Sequence, residues 1–154
     1  MINGYFVRPE SRGTVRLASS DPAASPLIDP NYFAEPKDLE MTIKAVKLMR
    51  EVAGQPAFGT VGGFEHFPGV HVRSDAEIAN FIRVHGRTAY HPVGTCRMGS
   101  DREAVVRPTL KVRGVDALRV CDSSVMPQLV SSNTNAASIM IGEKAADLIL
   151  SESL

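Results

Sequence analysis

Apolar residues recur at intervals of three and four positions in several stretches of the chain, and this spacing predicts helices. The first helix is predicted from Pro36 to about Ala53, because proline suits a first helical turn and Gly54 suits a helix end. Its apolar face is formed by Leu39, Ile43, Val46 and Met49. On another face, Glu40 and Lys44 are ordered for an i,i+4 ion pair.

Two further helices follow from the same pattern. Ser74 and Glu77 have the spacing of a capping box, so a second helix is predicted to begin at Ser74. Its apolar face consists of Ile78, Phe81 and Ile82. A third helix is predicted from about Ala136 to Leu150, with Asn135 as a natural N-cap.

Strands are predicted near both ends of the chain. Tyr5–Val7 and Thr14–Leu17 fit short strands, whereas the three prolines between residues 19 and 30 favour an extended loop. A hairpin is predicted from 110–112 and 118–121, with its turn at 114–116. Residues 54–73 are rich in Gly and Pro and fit no regular element. The predicted fold class is α+β, with mixed or antiparallel strands and helices between them.

Composition narrows the class of protein further. The chain has 154 residues, of which 44% are hydrophobic and 22% charged, and its formal net charge is zero. No overall field therefore favours nucleic acid or an anionic membrane. No apolar run approaches the roughly 20 residues that a membrane span needs. Arg8 and Glu10 are charged residues that stand where a signal peptide would have its apolar stretch. Two cysteines are too few for a disulfide framework. We therefore expect a cytoplasmic protein.

The start of the sequence leaves two interpretations open. Met1 is followed almost at once by predicted strands, with no leading element. This fits a piece of a longer chain, and it also fits a naturally small domain.

Common catalytic and cofactor motifs are missing. The sequence contains no G-x-G-x-x-G, G-x-S-x-G, H-E-x-x-H or C-x-x-C. Gly94 and Gly99 have the spacing of a phosphate-binding loop, but Ser100 and Asp101 stand where Lys and Ser or Thr are required. The four histidines have no i,i+4 pairing on a helix and no acidic partner at a telling distance, so no metal site is predicted.

His91 and two asparagines remain as candidates for chemistry. His91 lies in YHPVGTCRMG, where Pro92 fixes the following backbone and Gly94 permits a tight turn. It could serve as a positioned general base or fill a structural role. Asn133 and Asn135 precede the last helix; capping explains one of them, and the helix N-terminus suits a developing anion.

Long stretches of the chain resemble the C-terminal region of the glucose–methanol–choline oxidoreductases, which are FAD enzymes that oxidise alcohols. The resemblance lies in RPESRGTVRLASSDPAASPLIDPNYF, YHPVGTCRMGSD, LKVRGVDALRVCDSSVMP and SSNTNAASIMIGEKAADLI. These motifs occur in order and cover nearly the whole chain. The resemblance implies one C-terminal domain over residues 1–154, the substrate-domain portion of such an enzyme.

The resemblance also implies roles for single residues. His91 corresponds to the family's active-site histidine, which acts on the substrate hydroxyl proton. Asn133 corresponds to the second active-site position, which hydrogen-bonds the substrate oxygen. Asp122 and Ser123, together with Asn135 and Ala136, resemble parts that touch FAD. The last helix would then pack on an N-terminal FAD-binding domain that this sequence lacks.

The chain departs from the family pattern in two places. Arg107 stands before Pro108, where the family commonly has an acidic residue, and this concerns local packing. The N-terminal Gly-rich FAD fingerprint is absent, so the isolated chain is expected to be inactive. A non-catalytic partner module that keeps the fold without flavin is the alternative function.

The substrate implied by the resemblance is a small alcohol. Aliphatic primary alcohols and choline are the leading classes. A choline site needs aromatic or acidic groups around the ammonium, and the chain has no Trp and three Tyr. We therefore favour an uncharged alcohol. The electron acceptor is not encoded in any motif of the sequence.

Overall fold

The computed structural model describes residues 2–60 and 62–152. Two strands, β1 (Thr14–Arg16) and β2 (Leu27–Asp29), form an antiparallel two-stranded sheet. Three helices follow, α1 (Pro36–Ala53), α2 (Asp75–His85) and α3 (Asn135–Glu152). Short 3-10 turns lie at Pro56–Phe58 and Ser123–Val125. The predicted α+β class is confirmed.

The chain divides into two compact units, and the first consists of residues 1–13 and 29–89. Its core lies between α1 and α2, where Val46 packs with Ile78 and Ile82. Ile78 is fully buried, which for such a side chain is worth about 1.5–3 kcal/mol. The predicted apolar faces of both helices are therefore the faces that pack. The Glu40–Lys44 pair also forms, with 2.6 Å between the carboxylate and the ammonium.

Asp38 connects the first turn of α1 to the N-terminal segment of the same unit. Its two carboxylate oxygens accept hydrogen bonds from the backbone N–H groups of Glu10, at 2.9 Å, and Ser11, at 2.8 Å. The side chain is buried. Burial alone would raise the pKa of Asp38, but hydrogen bonds from Ser11 and Glu10 outweigh it and lower the pKa. Asp38 is thus a charged residue whose carboxylate holds the N-terminal segment against the first turn of α1.

The second unit consists of residues 14–28 and 90–154. Val106, Leu110, Val125 and Met126 form its core together with Ile141 and Ala145 of α3. Residues 110–112 and 118–120 pair through N–H groups of Val112 and Val120, which donate to the carbonyls of Leu118 and Leu110. The predicted hairpin is thus present as one isolated antiparallel bridge, between Lys111 and Arg119, and does not extend into full strands.

Three local predictions differ from the structure. Tyr5–Val7 forms no strand, and Leu27–Asp29 forms one inside the predicted loop. The paired strands lie between Gly13 and Pro30, where a Cβ atom on Gly13 would collide with the Asp29 carbonyl. The third helix begins at Asn135, one residue earlier than predicted. Its N-cap is Thr134, because the Thr134 carbonyl accepts the hydrogen bond of the Ser138 N–H at 2.9 Å.

Candidate active site

His91 lies in the second unit, in a segment whose backbone is sharply bent on both sides of the histidine. Tyr90 has a φ of 61° and Gly94 a φ of 91°, so both occupy the left-handed region. For tyrosine this conformation is uncommon and strained, and such strain clusters at functional sites. Gly94 adopts it without a Cβ penalty, as the sequence predicts. The histidine is thus presented between two tightly bent positions.

Backbone hydrogen bonds anchor this segment to the 3-10 turn at Ser123–Val125. The N–H of Cys96 donates to the Ser124 carbonyl at 3.0 Å, and the N–H of Met98 donates to the Val125 carbonyl at 2.8 Å. Val125 is fully buried, so the turn itself is fixed in the core. The segment after His91 is therefore built onto rigid structure, as a positioned catalytic group requires.

A side-chain contact connects His91 to the start of α3. Its Nδ1 lies 2.9 Å from Oγ1 of Thr134, which is 43 positions later in the chain. Thr134 is buried and His91 is half-buried, whereas the neighbouring Asn133 is exposed. The fold therefore brings the predicted base to the segment that carries the predicted second active-site residue.

The other three histidines have different surroundings. His66, His71 and His85 are exposed residues of the first unit. The ring of His85 packs 4.9 Å from that of Phe67 and 5.0 Å from that of Phe81. Among the residues that the structure describes, no group of His, Cys, Asp or Glu is arranged to hold a metal ion.

Asp122 and Ser123 lie at the 3-10 turn that anchors the His91 segment. Oδ1 of Asp122 accepts the Ser124 N–H at 2.7 Å. Hydrogen bonds from the Ser124 side chain and backbone hold the pKa of Asp122 below its usual range. The Ser123 hydroxyl lies 3.5 Å from the Pro92 carbonyl, the outer limit of a hydrogen bond. An exposed carboxylate and a hydroxyl are thus available beside the histidine segment.

Asn135 and Ala136 form the exposed first turn of α3. The N-terminus of a helix carries partial positive charge, which suits an anion such as a reduced flavin ring. With the Asp122 carboxylate and the Ser123 hydroxyl, these groups offer donors and acceptors that fit one polar edge of FAD. They do not offer the pyrophosphate cradle of a dinucleotide-binding turn, whose motif is absent from the sequence.

Sequence reasoning missed one residue of this arrangement, Thr134. Thr134 stands between Asn133 and Asn135, two asparagines with proposed roles. A threonine immediately before a helix is itself an N-cap signal, but its hydrogen bond to His91 has no signature in the sequence.

Arg107, where the family commonly has an acidic residue, is exposed and donates its backbone N–H to the Lys111 carbonyl at 2.9 Å.

Comparisons with known proteins cover almost the whole chain. The profile of the GMC oxidoreductase family matches residues 9–142. An oxygen-dependent choline dehydrogenase from Sinorhizobium medicae (strain WSM419) is 53% identical over 92% of this chain and 26% of its own length. An alcohol dehydrogenase [acceptor] from Pseudomonas putida is 48% identical over 92% of this chain and 26% of its own length.

Comparison with solved structures also finds a similar protein over nearly the whole chain. An FAD-dependent oxidoreductase from Chaetomium thermophilum superposes with a TM-score of 0.88 at 31% identity, over 96% of this chain and 26% of its own. The chain spans about a quarter of the length of the relatives that it matches. Within the part that the structure describes, no helix is both long and apolar enough to cross a membrane. On the profile match, the sequence identity and the shared fold, the chain belongs to the GMC oxidoreductase family.

Proposed function

We propose that this chain forms the substrate-side part of a larger flavoprotein that oxidises an alcohol to a carbonyl compound. Members of its family oxidise alcohols such as choline, and FAD dependence is implied by the family. The observation that carries the proposal is the 2.9 Å contact between His91 and Thr134. It brings the only half-buried histidine of the described chain to the segment that carries Asn133.

In this proposal His91 removes the hydroxyl proton of the alcohol through Nε2. The Asn133 amide donates a hydrogen bond to the substrate oxygen, which carries negative charge as the proton leaves. When bound, FAD supplies the acceptor for the hydride of the carbinol carbon. Loss of one proton and one hydride leaves the carbonyl product, so the atoms and electrons balance.

Four residues would hold one edge of FAD, and the rest of the cofactor would be held by a flavin-binding domain outside this chain. Asp122 and Ser123 would offer polar contacts, and the first turn at Asn135 and Ala136 would offer backbone N–H groups. The next turn of α3 exposes Ile139 and Met140, with 59% and 58% of their surface accessible. This apolar surface supports packing of α3 against that domain.

For the substrate we propose an uncharged alcohol, with choline as the second candidate. The choline dehydrogenase at 53% identity favours choline, whereas the scarcity of aromatic residues in this chain favours an uncharged alcohol. A cytoplasmic location stays a prediction, which cell fractionation would test.

The experiment is anaerobic reduction of the flavin in the full protein that contains this chain. Mixing with an aliphatic primary alcohol or with choline should bleach the flavin absorbance, and the faster substrate identifies the class. His91→Ala should slow bleaching by roughly 10²–10⁴-fold, the usual contribution of a general base. His66→Ala and His71→Ala are matched controls and should leave the rate within a few-fold.

Two outcomes would overturn the proposal. If the full protein holds no flavin, the chain serves as a partner module without redox chemistry. If His91→Ala reduces flavin at the wild-type rate while a control histidine abolishes it, the base has been assigned to the wrong residue.

A further inference from the structure

We propose that Thr134 is a positioning residue that holds the His91 imidazole in the tautomer with the proton on Nδ1. The inference rests on the proposed role of His91 as base and goes beyond it, because it assigns a function to a residue outside the proposed catalytic pair and the proposed flavin contacts. The contact that carries it joins Nδ1 of His91 and Oγ1 of Thr134 at 2.9 Å.

Thr134 is itself held firmly enough to orient a neighbour. Only 7% of its surface is accessible. Its carbonyl accepts two hydrogen bonds from Ser138, from the N–H at 2.9 Å and from the hydroxyl at 2.8 Å. As the N-cap of α3 it has a fixed backbone, and a β-branched side chain has few rotamers to lose. Its hydroxyl therefore occupies a defined position against the imidazole.

The tautomer follows from the demands of the reaction. A neutral imidazole carries one proton, so Nε2 keeps its lone pair only if Nδ1 carries that proton. Once Nε2 has taken the substrate proton, both ring nitrogens are donors. Nδ1–H can therefore donate to the Thr134 hydroxyl oxygen both before and after the proton transfer, so the same hydrogen bond is present with the neutral ring and with the imidazolium.

The same contact fixes the plane of the ring. His91 follows Tyr90, whose backbone is strained, and precedes Pro92, whose φ is fixed. These features place the Cα of His91, but they leave rotation about χ1 and χ2 open. The bond at Nδ1 restricts that rotation and so directs Nε2 to one place.

The test measures the tautomer directly, in the flavin-loaded full protein with ¹⁵N-labelled histidine. Two-bond and three-bond ¹H–¹⁵N correlations distinguish a protonated Nδ1 from a protonated Nε2, and the His91→Ala variant assigns the signals. We expect His91 to carry its proton on Nδ1. A proton on Nε2 in the wild-type protein would overturn the inference, and this readout does not depend on any Thr134 variant.

Two substitutions at Thr134 test the consequence for turnover. Thr134→Val keeps the shape and removes the hydroxyl, so kcat should fall on the order of 10–100-fold, with KM little changed and the Nε2–H tautomer appearing. Thr134→Ser keeps the hydroxyl and should stay within a few-fold of wild type. Thr109→Val removes an exposed threonine hydroxyl and should change neither quantity.

Other results would count against the role of Thr134. An unchanged kcat and tautomer in Thr134→Val would show that the hydroxyl does not position the ring. Equal losses in Thr134→Ser and Thr134→Val would assign the effect to packing. The proposed base fails by a different result, wild-type flavin reduction in His91→Ala, so the two failures are distinguishable.

Discussion

At the scale of single residues, the candidate site combines a half-buried imidazole, a buried hydroxyl in contact with it, and an exposed amide on the residue before that hydroxyl. His91 and Thr134 are joined directly, and Asn133 precedes Thr134 in the chain. Asn133 is exposed, so its amide has lost little hydration before substrate binds, whereas the buried Thr134 hydroxyl is shielded from competing water. This division suits a substrate-binding group and a positioning group respectively.

Asn133→Ala tests the predicted donor to the substrate oxygen. A donor aimed at developing alkoxide charge acts mainly in the transition state, so kcat should fall by roughly 10²-fold or more while KM changes less. Steady-state kinetics of the flavin-loaded full protein measures both parameters. Asn80→Ala, at an exposed asparagine of α2, is the control and should behave as wild type. A variant that raises KM alone would instead make Asn133 a ground-state binding residue.

At the scale of elements, α2 shows how a local motif fixes a helix start. The N–H of Ser74 donates to Glu77 at 2.8 Å, and the Ser74 hydroxyl accepts the Glu77 N–H at 3.3 Å. Hydrogen bonds from the Ser74 backbone and then the Arg73 backbone lower the pKa of Glu77 to about 2, from an ordinary value of 4.5. The charged form of Glu77 is therefore favoured in the folded state.

The capping box should make stability depend on pH in a defined window. Because the folded-state pKa is depressed, the contribution of Glu77 is complete above pH 4.5 and is lost as the pH falls toward 2. Urea unfolding of the chain should therefore show a stability difference between wild type and Glu77→Gln that shrinks across this window. Glu143→Gln, at an exposed position of α3, should show no such trend. A difference that grows on acidification would contradict the assignment.

The cap serine gives a second measure of the same element. Ser74→Ala removes the hydroxyl that accepts the Glu77 N–H and should destabilise the fold by about 0.5–2 kcal/mol, as for other N-caps. The loss should appear as a lower urea midpoint with an unchanged slope. Ser20→Ala, at an exposed loop position, is the comparison. A Ser74→Ala midpoint equal to that of Ser20→Ala would mean that the cap adds nothing.

At the scale of the whole molecule, the proposed flavin contacts amount to only part of a flavin site. The four residues with proposed flavin contacts are exposed or half-buried, whereas a bound cofactor normally has most of its surface enclosed. The purified 154-residue chain should therefore be colourless after desalting, in contrast to the full protein. A UV-visible spectrum measures this. Stoichiometric flavin absorbance in the isolated chain would show that it encloses FAD unaided.

Much of the local structure was predictable from the sequence. Helices α1, α2 and α3 follow from apolar residues three and four positions apart, and the bounds that were predicted, which do not include the end of α2, differ from the observed ones by no more than two residues. The capping box and the Glu40–Lys44 pair were predicted from spacing alone. These features depend on neighbours within four positions, which the sequence specifies directly. The family, too, was recognisable from contiguous motifs.

The tertiary structure determined the features that depend on residues far apart in the sequence. Tyr5–Val7 has strand-forming residues but does not form a strand, while Leu27–Asp29 becomes a strand because Thr14–Arg16 lies beside it. Asp38 is an ordinary first-turn acid in the sequence, and only the fold places two backbone amides on its carboxylate. His91 and Thr134 are 43 positions apart. Periodicity and caps are local, whereas a hydrogen bond between remote residues exists only once the core has brought their segments together.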